Sequence, residues 1–204
     1  MKILAIGAHP DDIEYGCGGL LIRGADAGHE IFLHVLTDGS ATTDADRKTE
    51  QSTAAEMLGA KELFWGGFKD TGLVQNRELI VALENIIKKV NPDVVLVNAP
   101  GDAHQDHEAL ANCAVTACRY QKRVLFYHDY TTLNFQPDTF IDIGDVLDRK
   151  RALLACHASQ VNKQNPTGLD LLESVGALAA YYGFMAKVRY AEAFRPLRNL
   201  IEPI

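Results

Sequence analysis

Long apolar runs are missing from this sequence. No stretch approaches the roughly eighteen consecutive apolar residues of a membrane-spanning helix, which excludes a protein of that kind. The start, Met1-Lys2-Ile3-Leu4, has neither the extended apolar region nor the small-residue cleavage site of a secretory signal, so a cytoplasmic protein is expected. Cysteine is scarce: Cys17, Cys113, Cys118 and Cys156 are the only four, and no two form a Cys-x-x-Cys pair. A disulfide framework is therefore not expected, and a reducing compartment fits better. Positive charge is outnumbered, with 20 Lys and Arg against 27 Asp and Glu and a formal net charge of -7. A general nucleic-acid binder would be basic, so that class is disfavoured. Internal repeats, low-complexity tracts and interdomain linkers are also absent.

What is present is enough for one sizeable core. The chain has 204 residues, 47% of them hydrophobic, which predicts a single domain over 1–204. Short apolar runs read as strands at Ile3–Ala8, Glu30–Thr37, Glu62–Trp65, Val94–Asn98, Arg123–His128 and Thr139–Asp142. They are near-continuous rather than alternating, as in parallel strands covered on both faces. Helical patterns lie between them at Tyr15–Ala27, Ala45–Leu58, Arg77–Val90 and Asp106–Tyr120, and two more follow at Val146–Ala158 and Leu169–Tyr190. Gly28 and Gly59 sit where helix C-caps belong, and Gln160–Thr167 reads as a loop. The alternation predicts an α/β fold: a Rossmann-like open, mostly parallel sheet with helices on both faces. Leu178–Met185 is apolar all round, which predicts a buried core helix, with a subunit interface as the alternative.

Two clusters carry the chemistry. In "GAHPDDIEYGCGG", Gly7 to Gly19, a histidine, two aspartates and a glutamate directly follow the first strand. In "PGDAHQDHEAL", His104, Asp106 and His107 follow the fourth. Alone, the first reads equally as an acid-rich helix start, and the second as surface histidines. Ligands of open α/β sheets bind beyond the carboxyl ends of the strands, and the two clusters can meet there. Two histidines and a carboxylate form a common hydrolytic zinc set that leaves room for water. The glycines of Gly16–Gly19 lack a phosphate-loop pattern and read as close packing of the first helix; Cys17 reads as a small buried residue. His29, His34, His128 and His157 are assigned mainly structural roles, with His128 the strongest exception because it ends a strand.

"AHPDDIE" followed by "HQDH" resembles the LmbE-like, or PIG-L, metal-dependent deacetylases, whose hallmarks are an A-H-P/A-D-D-x-E motif and an H-x-D-H motif in that order. "DRKTEQSTAAEMLGA", "KDTGL", "QPDTFIDI" and the late "YAEAF" extend the likeness over nearly the whole chain, the last two toward the branch acting on N-acetylglucosaminyl malate in bacillithiol synthesis. The resemblance implies zinc-dependent hydrolysis of an N-acetyl group from an amino-sugar conjugate. It implies His9, Asp12 and His107 as zinc ligands, Asp11 as general base, and His104 at the oxyanion or the leaving amine, with Asp106 orienting it. Arg47 would face an anionic group and Asp70 would bond sugar hydroxyls. A homo-oligomer, trimer or hexamer, is expected from the same likeness. Lys69-Asp70-Thr71 departs from the family turn, where proline and arginine are usual, and leaves the particular sugar open. Related metal-dependent amidases, antibiotic or cell-wall sugar deacetylases, and a non-catalytic metal-binding protein are the rival readings.

Overall fold

The computed structural model describes residues 1–41, 45–163 and 166–200. Along the first half run β1 (Lys2–Gly7), α1 (Asp12–Asp26), β2 (Glu30–Thr37), α2 (Arg47–Leu58), β3 (Glu62–Phe68), α3 (Arg77–Val90) and β4 (Val94–Asn98). Then come α4 (Gln105–Ala117), β5 (Arg123–Tyr127), β6 (Thr139–Asp142), α5 (Leu147–Leu154), α6 (Ala158–Val161), α7 (Leu171–Ala186) and β7 (Ala191–Asn199). The strands form one sheet in the order β3-β2-β1-β4-β5-β7-β6. The first five are parallel, and β7 runs antiparallel between β5 and β6. The expected mostly parallel α/β sheet is therefore the observed one.

Alternate β1 residues enter opposite cores. Leu4 and Ile6 pack with Leu83 and Ile87 of α3 and Leu110 of α4, whereas Ile3 and Ala5 pack with Leu21 of α1, Leu58 of α2 and Leu153 of α5. Both faces of the sheet are thus covered, which is why the strands read as continuous apolar runs. Helix starts follow local chemistry: Asn76 accepts from the Leu79 N–H, and Asp170 and Glu173 form a capping box at α7. Gly59, at φ 73°, ends α2 as expected. The glycine run of α1 does allow close packing, since a Cβ on Gly16 would stand 2.1 Å from the Tyr127 ring.

Five expectations change. The tail helix predicted over Val146–Ala158 breaks after Leu154 and restarts as the short α6. The predicted loop Gln160–Thr167 begins inside α6, and its residues 164–165 lie outside the described set. Helix α7 stops at Ala186 rather than Tyr190, with Lys187 left-handed at φ 63°. Strand β7 is not expected from the sequence, because Pro196 and the charged Glu192, Arg195 and Arg198 mask its pattern. Pro196 is tolerated beside a register shift in the pairing with β5, where a missing N–H does the ladder little harm. Helix α7 is also only half buried: Ala179 and Tyr182 face the core, but Phe184 is 79% exposed. No helix among the described residues is long and apolar enough to cross a membrane.

One buried ion pair ties the unexpected strand to the rest. Glu192 of β7 accepts from the Gly19 and Leu20 N–H groups at 2.6 and 2.8 Å, and Lys150 Nζ of α5 reaches it at 2.5 Å. Both side chains are 3% exposed. Removing one partner strands a buried charge, so Lys150→Met is expected to lower the unfolding free energy by about 3–5 kcal/mol. Urea denaturation measures this, and a loss under about 1 kcal/mol would contradict the pairing.

Candidate metal centre

The order β2-β1-β4 means the chain leaves β1 to one side first and to the other later. This is the switch point of an open α/β sheet, where strand ends diverge and leave a crevice. The first cluster follows β1 and the second follows β4, so both open into that crevice. Asn98, at the end of β4, bridges the gap: its Oδ1 accepts from Ala8 N–H at 3.2 Å and its Nδ2 donates to Asp12 Oδ2 at 3.3 Å. Helix α1 starts abruptly because Asp11 takes a left-handed conformation at φ 92°. For a non-glycine residue this costs of order 1–3 kcal/mol, and it turns the Asp11 and Asp12 side chains to different jobs.

Three atoms converge. His9 Nδ1 lies 3.1 Å from His107 Nε2, His107 Nε2 lies 3.3 Å from Asp12 Oδ2, and Asp12 Oδ2 lies 3.7 Å from His9 Nδ1. Ligands about 2.0–2.1 Å from a tetrahedral zinc ion stand about 3.3 Å apart, so this triangle fits such an ion. The far nitrogen of each ring is held by carboxylate. His9 Nε2 is 3.1 Å from both Asp106 Oδ2 and Asp70 Oδ1, and His107 Nδ1 is 3.3 Å from Asp102 Oδ2. Carboxylate on the far nitrogen fixes the tautomer and raises the basicity of the ligating one.

The electrostatics agree with a cation site. Burial disfavours charge on His9, but its hydrogen bonds to Asp106, Asp12 and Asp70 outweigh it and raise its pKa to about 12. His107 is likewise raised well above an ordinary imidazole: burial opposes the charge, and Asp12 and Asp102 overcome it. Burial works against the Asp12 carboxylate too, yet His107 and His9 hold its pKa well below the usual range. A cation binding here would compete with protons for the ring nitrogens.

Asp11 stands apart from the triangle. Its Oδ1 accepts from Arg47 Nη2 at 2.8 Å, and its backbone N–H donates to Gln51 Oε1. Its Oδ2 is buried and has no partner among the described residues. Burial raises its pKa to about 6, with the Arg47 charge pulling it back. Behind it, Gln51 donates to Glu14 Oε1 at 2.7 Å, and Glu14 Oε2 lies 3.3 Å from His157 Nε2. His104 caps α4 with its ring, Nδ1 accepting from Asp106 N–H at 3.2 Å. In the neutral ring the proton is then on Nε2. Burial, followed by the charges of His9 and His107, lowers the His104 pKa and favours that neutral form.

All the site residues singled out in the sequence fall at this rim, but three sit differently from expectation. Asp106 does not orient His104 with its carboxylate; it holds His9 and anchors the Thr71 and Leu73 N–H groups at 2.8 and 3.1 Å. Asp70 commits one oxygen to His9 and the other to Ala41 N–H, and His9 is the main reason its pKa falls to about 2. Arg47 is buried on Asp11, Pro10 O and Gly39 O. Two further acids belong to the site that the motifs do not single out. Asp102 holds His107 and the His104 N–H, and Asp129, fully buried after β5, lies with Asp12 and His107 in one possible metal group. The strand-end rule applied a third time, to β5, would have found Asp129. His34 is structural as expected, its pKa lowered to about 4 by burial, and Cys17 is fully buried.

Because Asp102 would act on a bound metal only through His107, Asp102→Asn is expected to weaken zinc affinity by about 10–100-fold without abolishing binding. Competition with a chromophoric chelator reads this directly; unchanged affinity would remove Asp102 from the site.

The family model described as "PIG-L: GlcNAc-PI de-N-acetylase" matches residues 4–118. "Uncharacterized deacetylase YaiS" of Escherichia coli (strain K12) is 42% identical over 152 residues, covering 70% of this chain and 82% of that protein. The "Diacetylchitobiose deacetylase" of Thermococcus kodakarensis is 31% identical over a 222-residue alignment, covering 95% of this chain and 82% of the relative. In structure, a conserved protein from Thermus thermophilus superposes with a TM-score of 0.88 at 29% identity, over 98% of this chain and 97% of its own. Both motifs lie inside the matched region, and the fold agrees along the full sheet: the chain belongs to the PIG-L, or GlcNAc-PI de-N-acetylase, family.

Proposed function

We propose that this chain is a zinc-dependent hydrolase that removes the N-acetyl group from an N-acetylglucosamine-type sugar conjugate, releasing acetate and a free amino sugar. The observation that carries the reading is the free Oδ2 of Asp11, a buried carboxylate oxygen without a partner among the described residues, beside a three-ligand site. A purely structural zinc site would be closed by four protein ligands, often cysteine, and no cysteine belongs to this one. The named deacetylases among the relatives support the same chemistry.

When bound, zinc on His9, Asp12 and His107 supplies Lewis acidity toward the amide carbonyl and an attacking water near neutral pH. Asp11 Oδ2 takes the water's proton as its oxygen bonds to the acetyl carbon. Arg47 holds Oδ1, so the proton has one destination. His104 Nε2–H donates to the oxyanion that develops on the carbonyl oxygen. As the C–N bond breaks, Asp11 returns its proton to the amine nitrogen. A carboxyl group raised to about 6 can hold a proton through that interval, whereas burial keeps the His104 ring in the neutral form, already engaged as the oxyanion donor. Arg47 and Asp70, both committed to protein partners, position Asp11 and His9 in this scheme. A single catalytic domain, cytoplasmic action and a homo-oligomer complete the reading; exposed Phe184 and Met185 on α7 support assembly.

Asp11→Asn is expected to lower kcat by about 10²–10⁴-fold while zinc remains bound, because the ligand triangle is untouched. Acetate release alongside metal analysis tests this. Full activity in the zinc-loaded variant would remove Asp11 from the reaction.

A further inference from the structure

Three polar side chains stand fully buried behind Asp11 and take no part in the ligand triangle. They are Gln51 of α2, Glu14 of α1 and His157, which precedes α6. Burying such groups is costly unless they pair, and apolar residues of similar volume often serve a core as well or better. They form one line. His157 Nε2 stands 3.3 Å from Glu14 Oε2, and neither ring nitrogen hydrogen-bonds to any other described group. Glu14 Oε1 accepts from Gln51 Nε2 at 2.7 Å, and Gln51 Oε1 accepts from the Asp11 N–H at 3.3 Å. Burial opposes charge on His157, but Glu14 beside it outweighs this and raises its pKa.

The far end of the line needs holding. Asp11 is left-handed at φ 92°, a strained conformation that persists only where its surroundings over-determine it. Its C=O accepts from the Tyr15 N–H in the first turn of α1, and its Oδ1 from Arg47. The Asp11 N–H goes to Gln51. An amide side chain can present either end, and here Glu14 chooses. A carboxylate only accepts, so it draws the Gln51 NH2 group to itself and leaves the oxygen for Asp11. His157 fixes the other carboxylate oxygen. Ser159, two residues on, donates to Glu50 of α2 through its N–H and Oγ at 2.8 and 2.7 Å. The turn carrying His157 is thereby fastened to the helix carrying Gln51.

We infer that Gln51, Glu14 and His157 are positioning residues: their line holds Asp11 in its left-handed turn and keeps its free oxygen beside the ligand triangle. What Asp11 does there rests on the deacetylase reading; how it is held rests on the geometry alone.

The test uses the full chain loaded with zinc. Acetate release from N-acetylglucosamine and its β-linked disaccharide gives kcat and KM. Chelator competition gives zinc affinity, and crystal structures show Asp11. Gln51→Met keeps the bulk and loses the acceptor. It is expected to lower kcat about 10–100-fold, with KM and zinc affinity each changed less than about threefold. Asp11 is expected to leave the left-handed region or to turn its carboxylate away. His157→Leu is expected to lower kcat about tenfold, and His157→Gln, whose amide can still donate to Glu14, to recover most of that loss. Circular dichroism checks folding, and the His157 pair decides the matter if Gln51→Met does not fold. Unchanged kcat in Gln51→Met, or equal losses in the two His157 variants, overturns the inference and leaves deacetylation standing. If the wild-type protein binds zinc but releases no acetate, the deacetylase reading falls and the structures alone decide. An unmoved Asp11 in both Gln51→Met and His157→Leu then overturns the positioning line, and a displaced one sustains it.

Discussion

Too many carboxylates meet in too little water at the open end of this sheet. Asp11, Asp12, Asp70, Asp106 and Asp129 are all buried, and Asp102 is half-buried among them. Like charges so close oppose one another's ionisation, and burial removes the solvent that would screen them. The protein answers with compensating positive charge. Arg47 meets Asp11, while the His9 and His107 rings pair with the rest. Asp129 meets the same pressure: burial, then the Asp12 charge, pushes its pKa well up. A divalent cation between the two rings would do the same work with a single charge centre.

The fold exists to hold that arrangement. Divergence of the chain on either side of β1 opens the crevice, and Asn98 fastens its two lips. The strained turn at Asp11 sends adjacent aspartates to different partners, one toward the rings and one toward Arg47. Helix α4 begins with His104 at its cap and carries His107 in its first turn, so the two rings stack with centroids 4.9 Å apart. Positions three apart in sequence thereby present both rings to the same rim. Deeper still, Gln51, Glu14 and His157 form a buried support behind Asp11.

Much of this is legible in the sequence, for physical reasons. Strands buried on both faces must be apolar throughout, so β1, β2 and β4 announce themselves. The histidines and aspartates of the candidate site cluster directly after two of those strands, where the crevice rule says a site belongs. What stays hidden depends on contacts distant in sequence. Strand β7 carries Glu192 and Pro196, which read as a surface segment until Lys150 and the α1 backbone are seen to neutralise one and a register shift to accommodate the other. Asp70 and Arg47 are visible as candidates but not their direction: their partners, His9 and Asp11, lie 61 and 36 positions away (70 − 9 and 47 − 11). Asp102 lies within the second motif yet gives no signal there, because its partner is set by the turn preceding α4 and not by helical spacing.

Everything at this rim turns on whether His9 and His107 hold protons that a metal ion must displace. Zinc titration of the metal-free protein by calorimetry, repeated in buffers of different ionisation enthalpy, counts those protons. Net proton release on zinc binding at pH 7 is expected, with an affinity that rises with pH. Binding without proton release, or with an affinity indifferent to pH between about 6 and 8, would contradict it.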